Sequence, residues 1–157
     1  MDNRPSIALF EPDIPQNAGA IMRLCACLDL KLHIIEPCGF LLDDRKLRRA
    51  GMDYRADAEL MRHVDWAAFV EACEGRRLVL ASAHASEPLQ HFAFEAQDII
   101  ILGRESAGAP DYVHEASHHR VRLPLASGRR SINVAQAASI FGFEACRQLN
   151  LFDSLGG

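Results

Sequence analysis

Apolar runs of four or five residues recur along the chain, each closed off by charge, proline or glycine. Ser6-Ile7-Ala8-Leu9-Phe10 reads as a buried strand, and Glu11-Pro12-Asp13-Ile14-Pro15-Gln16 as a rigid, proline-punctuated loop after it. Asn17 is predicted to cap a helix whose apolar positions, Ala18, Ile21, Met22, Cys25 and Leu28, recur at helical spacing. Leu32-His33-Ile34-Ile35 forms a second strand, ended by Glu36-Pro37. A strand–helix–strand unit implies a parallel pair with a right-handed crossover. Asp43 to Ala50 is predicted as a short helix with a basic face, stopped by Gly51, and Asp65 to Cys73 as another. Leu78 to Ala81 and Val121 to Leu125 read as short strands, and Asp98 to Leu102 as the clearest strand of all. The final helix is predicted over Ser131 to Leu149, with Val134, Ala138, Phe141, Ala145 and Leu149 on one face. Continuous apolar strands alternating with helices predict an α/β domain, a mostly parallel sheet with helices on both faces. Residues after Asn150 are expected to form a loose tail or a dimer contact.

A length of 157 residues suits one domain spanning 1–157, and neither repeat nor linker interrupts it. No apolar run approaches the roughly 20 residues of a membrane span, and the first residues lack a signal-peptide core, so a cytoplasmic location is expected. The net charge of −4 argues against a broad nucleic-acid footprint, but its distribution matters more than its sum. Arg45-Lys46-Leu47-Arg48-Arg49 carries four positive charges and no negative one, and Arg120, Arg122, Arg129 and Arg130 form a second cluster. Cys25-Ala26-Cys27 is C-x-C and the other cysteines stand alone, which argues against structural zinc or a disulfide framework. His114 and His118 are four apart, but Glu115 does not complete H-E-x-x-H; a polar surface turn or helix is the better reading, and no metal is expected.

Three segments do not read as core. Pro12 to Arg23 follows the carboxyl end of a strand, where α/β proteins place ligands, and couples a fixed loop to a helix carrying Gly19 and Arg23. Arg23 taken alone is also readable as a solvated charge. Leu102-Gly103-Arg104-Glu105-Ser106-Ala107-Gly108-Ala109-Pro110 again follows a strand, with two glycines that free backbone groups for a ligand. It lacks both G-K-[ST] and G-x-G-x-x-G, and Glu105 disfavours polyphosphate; an adenosine bearing a sulfonium suits it better. Arg122-Leu123-Pro124-Leu125 through Arg130-Ser131-Ile132-Asn133 opens the last helix, whose first N–H groups and positive dipole end are available to a ligand. Ser131 or Asn133 is equally readable as a plain helix cap.

In this order and at these strand ends, the segments resemble the SPOUT superfamily of RNA methyltransferases. The likeness covers nearly the whole chain and is strongest toward the minimal tRNA (cytidine/uridine-34) 2'-O-methyltransferases. Leu32-His33-Ile34-Ile35-Glu36-Pro37, Leu47-Arg48-Arg49-Ala50-Gly51-Met52-Asp53-Tyr54 and Phe143-Glu144-Ala145-Cys146-Arg147-Gln148-Leu149 add to it. The resemblance implies a deep C-terminal trefoil knot, a homodimer, and S-adenosyl-methionine bent within the knot, leaving as S-adenosyl-homocysteine. It implies cofactor contacts at Ala81, Gly103, Leu123 and Ser131, with Glu105, Leu125 and Asn133 as neighbours. It implies Arg23 as the catalytic candidate, organised by Asn17, Ser131 and Asn133, and Arg45, Lys46, Arg48, Arg49 and Arg130 as contacts to the phosphates of a tRNA anticodon stem-loop. An arginine is an implausible free base, because its pKa exceeds 12; polarising a hydroxyl suits it better. Where the family often has Gly-Pro-Glu, this chain has Gly103-Arg104-Glu105, and the lost proline is expected to loosen the loop. The competing expectations are a non-catalytic RNA-binding or assembly factor on the same fold, and a 2'-O-methyltransferase for another tRNA or rRNA position. A nucleotide-binding Rossmann protein is a more distant alternative, since its glycine fingerprint is missing.

Overall fold

A computed structural model describes residues 3–42 and 59–156. Its elements, in chain order, are β1 Ser6–Phe10, α1 Pro15–Leu28, β2 Lys31–Ile35, β3 Leu60–His63 and α2 Trp66–Ala72. There follow β4 Leu78–Ala81, β5 Glu87–Pro88, β6 Ile99–Leu102, α3 Asp111–Ala116, β7 His119–Arg122 and α4 Val134–Gln148. The helix predicted over Asp43 to Ala50 lies outside the described residues, as do Arg45, Lys46, Arg48 and Arg49.

The strands form one sheet in the order β3-β2-β1-β6-β4-β7-β5, and every ladder is parallel. The most apolar strands, β1 and β6, sit side by side in the middle, with Ile7 opposite Ile100. Alternate side chains of β1 point to opposite faces. Ile7 and Leu9 pack with Ile21 and Met22 of α1 and Ala138 and Cys146 of α4, whereas Ala8 and Phe10 pack with Phe69 of α2 and Val113 of α3. Both faces of the sheet are therefore covered, which is why its central strands read as unbroken apolar runs. A third cluster, Val79, Ile100, Phe92, Phe94, Val121 and Phe141, closes the core toward the β5 edge.

The amino end of the sheet is sealed by charge. Asp98, fully buried, accepts from Arg77 Nε at 2.8 Å and Nη2 at 2.7 Å and from the Glu95 N–H at 2.8 Å. A two-pronged guanidinium–carboxylate pair of this kind satisfies a charge that burial would otherwise penalise heavily.

Several predicted boundaries are corrected. Helix α1 begins at Pro15 and its N-cap residue is Ile14, so Asn17 lies inside the first turn and caps nothing. Proline at the first helical position starts this helix, because its fixed φ is already helical. Helix α4 begins at Val134, and its cap is Asn133, whose Oδ1 accepts from the Ala135 N–H at 2.8 Å. The short strand predicted over Val121 to Leu125 is β7, which begins at His119 and ends at Arg122, leaving Leu123 to Leu125 in a loop. The tail is docked rather than loose. Phe152 packs on Phe143 with ring centroids 4.8 Å apart, and Ser154 Oγ accepts from Arg4 at 2.6 Å. Strands β3 and β5 were not predicted, because they have only four and two residues. Helix α3, six residues long, realises the polar surface helix that the sequence offered as an alternative to a turn around His114.

Candidate active site

The loops leaving β1, β6 and β7 share the carboxyl side of the sheet. Parallel strands put all their carboxyl ends on that side, and β1 and β6 are neighbours there. A cavity of about 810 Å³ opens among the loops after β4, β6 and β7 and the start of α4, with the β1 loop beside it. It is lined by Ala81 at the end of β4, Gly103 and Glu105 after β6, Leu123 and Leu125 after β7, and Ser131 before α4. Leu102, Ile132 and Phe141 add an apolar wall, and Arg122, Arg129 and Arg130 stand along it as cations. Gly103 has no room for a side chain: a Cβ would lie 2.6 Å from the Ala109 nitrogen and 2.7 Å from the Gly108 carbonyl carbon. The turn before α4 is closed by the Arg129 N–H on the Ala126 carbonyl at 3.1 Å and passes through Gly128 at φ +80°.

A polar chain ties the three loops together beside this cavity. Asn133 Nδ2 donates to Asn17 Oδ1 at 3.1 Å, and Asn17 Nδ2 donates to Glu105 Oε1 at 3.4 Å. The Asp13 N–H donates to Glu105 Oε2 at 3.0 Å, and Ser106 Oγ–H donates to Asp13 Oδ2. Burial pushes the Glu105 carboxyl above its ordinary value, and its hydrogen bond with Asp13 adds to the effect. Hydrogen bonds from Glu105 and Ser106 hold Asp13 below its own. When the pair holds a proton, these opposed directions favour Glu105 as its carrier.

Arg104 does not leave its loop slack. Its N–H donates to the Gly108 carbonyl at 3.2 Å, and the Gly108 N–H returns a bond at 2.8 Å. A proline at position 104 would lack the first of these. The Arg104 guanidinium also pairs with Glu11 at 3.1 Å and lies 5.5 Å from the centre of the Phe10 ring. The side chain thus fastens the β6 loop to the end of β1 through contacts that a proline there could not make.

The structure thus brings Ala81, Gly103, Glu105, Leu123, Leu125 and Ser131 together, with Arg130 at the same cavity. It sets Asn17 one hydrogen bond and Asn133 two hydrogen bonds behind Glu105 rather than on the cavity wall. Arg23 is exposed on α1 and does not line the cavity of its own chain. Sequence reasoning gave Asp13 no role, because its partner Glu105 is 92 residues away and only the β1–β6 pairing brings them together. Among the described residues, no group of three or more histidine, cysteine, aspartate or glutamate side chains is arranged to hold a metal ion.

The model of the SpoU rRNA Methylase family matches residues 4–143, nine-tenths of the chain and all three loops of the cavity. The chain belongs to the SpoU methylase family. It is 51% identical over 147 residues to a tRNA (cytidine(34)-2'-O)-methyltransferase of Beijerinckia indica, covering 91% of each chain. It is 39% identical over 146 residues to the Escherichia coli K12 protein of the same name, covering 92% of this chain and 93% of that one. A solved structure bearing on the 2-OH methylation of C/U34 on tRNA superimposes with a TM-score of 0.90 at 38% identity, over 96% of this chain and 99% of that one. The fold extends to more distant members. AviRb of Streptomyces viridochromogenes, solved with AdoMet, superimposes with a TM-score of 0.87 at 21% identity, over 96% of this chain and 62% of that one.

Proposed function

We propose that this protein is an S-adenosyl-methionine-dependent methyltransferase acting on the ribose 2'-hydroxyl of the tRNA wobble nucleotide, cytidine or uridine 34. The observation that carries this reading is the 51% identity to a tRNA (cytidine(34)-2'-O)-methyltransferase across 91% of both chains. The cavity fits the cofactor. Apolar Ala81, Leu102, Leu123 and Phe141 suit an adenine, the bare Gly103 backbone permits close approach, and Glu105 offers a carboxylate to a cation. When bound, the cofactor supplies a methyl group already activated by its sulfonium. The remaining work falls to the protein: to orient the ribose hydroxyl in line and stabilise the charge it develops. Arg23 polarises that hydroxyl, while Asn17, itself held by Asn133, holds Glu105, and Ser131 lines the cofactor cavity. Arg45, Lys46, Arg48, Arg49 and Arg130 hold the phosphates of the anticodon stem-loop, which makes binding salt-sensitive.

The working unit is proposed to be a homodimer, formed by a cytoplasmic protein of one domain whose C-terminal segment is threaded as a trefoil knot. Two observations support the dimer. Arg23 stands outside its own chain's cavity, so a second subunit's cavity is the place for it to act. Leu24 and Leu28 of α1 and Ile140 and Phe143 of α4 flank an apolar groove of about 760 Å³, with Phe143 54% exposed. Surface of that kind on helices that pack together is characteristic of subunit contacts.

Mapping ribose methylation in tRNA from cells lacking this protein tests the reading; loss confined to nucleotide 34 is expected. Loss at another position would move the substrate, and no loss in any RNA would favour a binding factor on the same fold. In vitro, Arg23→Ala is expected to lower turnover at least about a hundredfold while cofactor affinity stays within about twofold. Turnover near the unmodified level would remove Arg23 from the chemistry.

A further inference from the structure

A second cleft, of about 360 Å³, adjoins the cofactor-sized cavity, and Ser82, His84 and His114 line both. Its remaining wall is rich in nitrogen donors: His118, His119 and Arg120 all face it. Four of the chain's seven histidines thus line one depression, although they come from the loop after β4, helix α3 and the start of β7. The cleft carries a single carboxylate among its described lining residues, Glu87 on the edge strand β5.

The local structure holds these groups in place. The Leu78 N–H donates to His118 Nδ1 at 2.9 Å, so the proton of a neutral His118 sits on Nε2. His119 stands edge-on to Phe92 with ring centroids 5.3 Å apart. Arg120 Nη1 donates to the carbonyls of His114 and Ser117, which fastens the guanidinium across the end of α3. The His84 N–H donates to Ser82 Oγ at 3.4 Å, a turn that sets His84 at the neck between the two cavities. Every imidazole, neutral or charged, keeps at least one N–H donor and a flat ring face. Such a surface suits an anionic, hydroxyl-bearing, stackable ligand. It does not suit a metal ion, because among the described residues no three of these ligands are arranged to hold one.

We propose that this cleft seats the ribose-phosphate of a nucleotide flanking the methyl acceptor in the RNA substrate, with His84 and His114 donating hydrogen bonds to it at the neck. The inference rests on the RNA methyltransferase reading and assigns a place to the strand beyond the reacting nucleotide. An acceptor ribose reaching the sulfonium from outside must carry its neighbouring phosphates past the rim, and the neck is one of the polar exits from the cavity. Glu87 at the far wall is placed to accept from a 2'-hydroxyl, the group that separates RNA from DNA. The cofactor's own amino-acid carboxylate is the other anion that can reach His84 and His114, and the experiment separates the two.

The full-length His84→Ala/His114→Ala variant is compared with the unmodified chain, with His91→Ala as an exposed histidine that lines neither cavity. Binding of a fluorescein-labelled anticodon stem-loop is followed by anisotropy, and cofactor binding by calorimetry. The double variant is expected to weaken RNA binding and raise the RNA KM about tenfold, a loss that falls on RNA rather than on cofactor Kd. His84→Asn/His114→Asn, which keeps an N–H donor at each position, is expected to recover most of the loss. Unchanged RNA affinity, or a loss that falls on cofactor Kd instead, overturns the proposal. Unchanged thermal melting is the check that either result concerns binding. An unmodified chain that neither binds nor methylates RNA overturns the parent reading and this inference with it. An active unmodified chain beside an unaffected double variant overturns this inference alone.

Discussion

The two ends of the same sheet are built to opposite specifications. At the amino end, Asp98 is fully buried and takes up Arg77 through two bonds and the Glu95 N–H through a third. Both ends carry polar groups along a cavity, but at the carboxyl end Asp13 Oδ1 and Arg104 Nε are buried without a fixed partner. A buried charge with all its bonds made holds strands together; an incompletely satisfied network keeps capacity for a ligand or a proton. The difference predicts that stability rests mainly on the amino end and the proposed function on the carboxyl end. The amino end can be disturbed only at the cost of folding, and the carboxyl end only at the cost of the site.

The comparison can be broken most forcefully at its amino end. Arg77→Ala strands a buried carboxylate and is expected to destabilise the fold by about 3–5 kcal/mol, read from urea unfolding. The cofactor affinity of the remaining folded protein should not change. A loss under 1 kcal/mol would show that the pair contributes little to folding.

At the carboxyl end the expected pattern is reversed, and the effect smaller. Asn17→Ala cuts the link between Asn133 and Glu105 and is expected to weaken cofactor binding about tenfold, with stability lowered by only about 1 kcal/mol. A variant that melts far lower yet binds normally would mean that the network belongs to the scaffold.

Acid provides a third measurement, because the groups concerned pull in opposite directions. His33 stacks on His63, with Nδ1 and Nε2 at 2.9 Å, and burial lowers its pKa to about 3 from 6.5. Above pH 6.5 both folded and unfolded chains hold it neutral. Below 6.5 the unfolded chain takes up a proton that the folded chain refuses until about pH 3, so stability falls by up to about 1.4 kcal/mol per pH unit across that window. Glu105 works the other way: its raised value makes the folded chain hold its proton longer as pH rises, which adds stability only toward acid. Melting temperature is therefore expected to be flat between pH 7 and 8 and to decline from pH 6.5 to 5. A flat profile down to pH 5 would show that the histidine pair is hydrated and chargeable.

The smallest effect is expected at Arg104. Removing its ion pair with Glu11 and its contact with Phe10 by Arg104→Ala should cost about 1 kcal/mol and shift cofactor affinity by less than about threefold. A tenfold affinity loss would place the guanidinium in the site itself.

The sequence alone determined the repeating order of apolar strands and helices, and with it a parallel sheet covered on both faces. Runs such as Ile99-Ile100-Ile101-Leu102 have no other stable place, because each face of such a strand must be buried. It also marked the loops after β6 and β7 that line the cavity and the β1 loop beside it, since glycine, proline and cations at strand ends leave a local signature, whereas Ser82 to His84 after β4 carry none. Only the tertiary structure decided what those loops do to one another. Asn17 looked like a helix cap until Glu105 and Asn133 were brought beside it, and Arg104 looked like a slack substitute for proline until Glu11 and Phe10 came within reach. Edge strands β3 and β5 and the histidine cleft were illegible for the same reason. Their residues are few, and what joins them is the spatial order of strands far apart in the chain, which local periodicity does not encode.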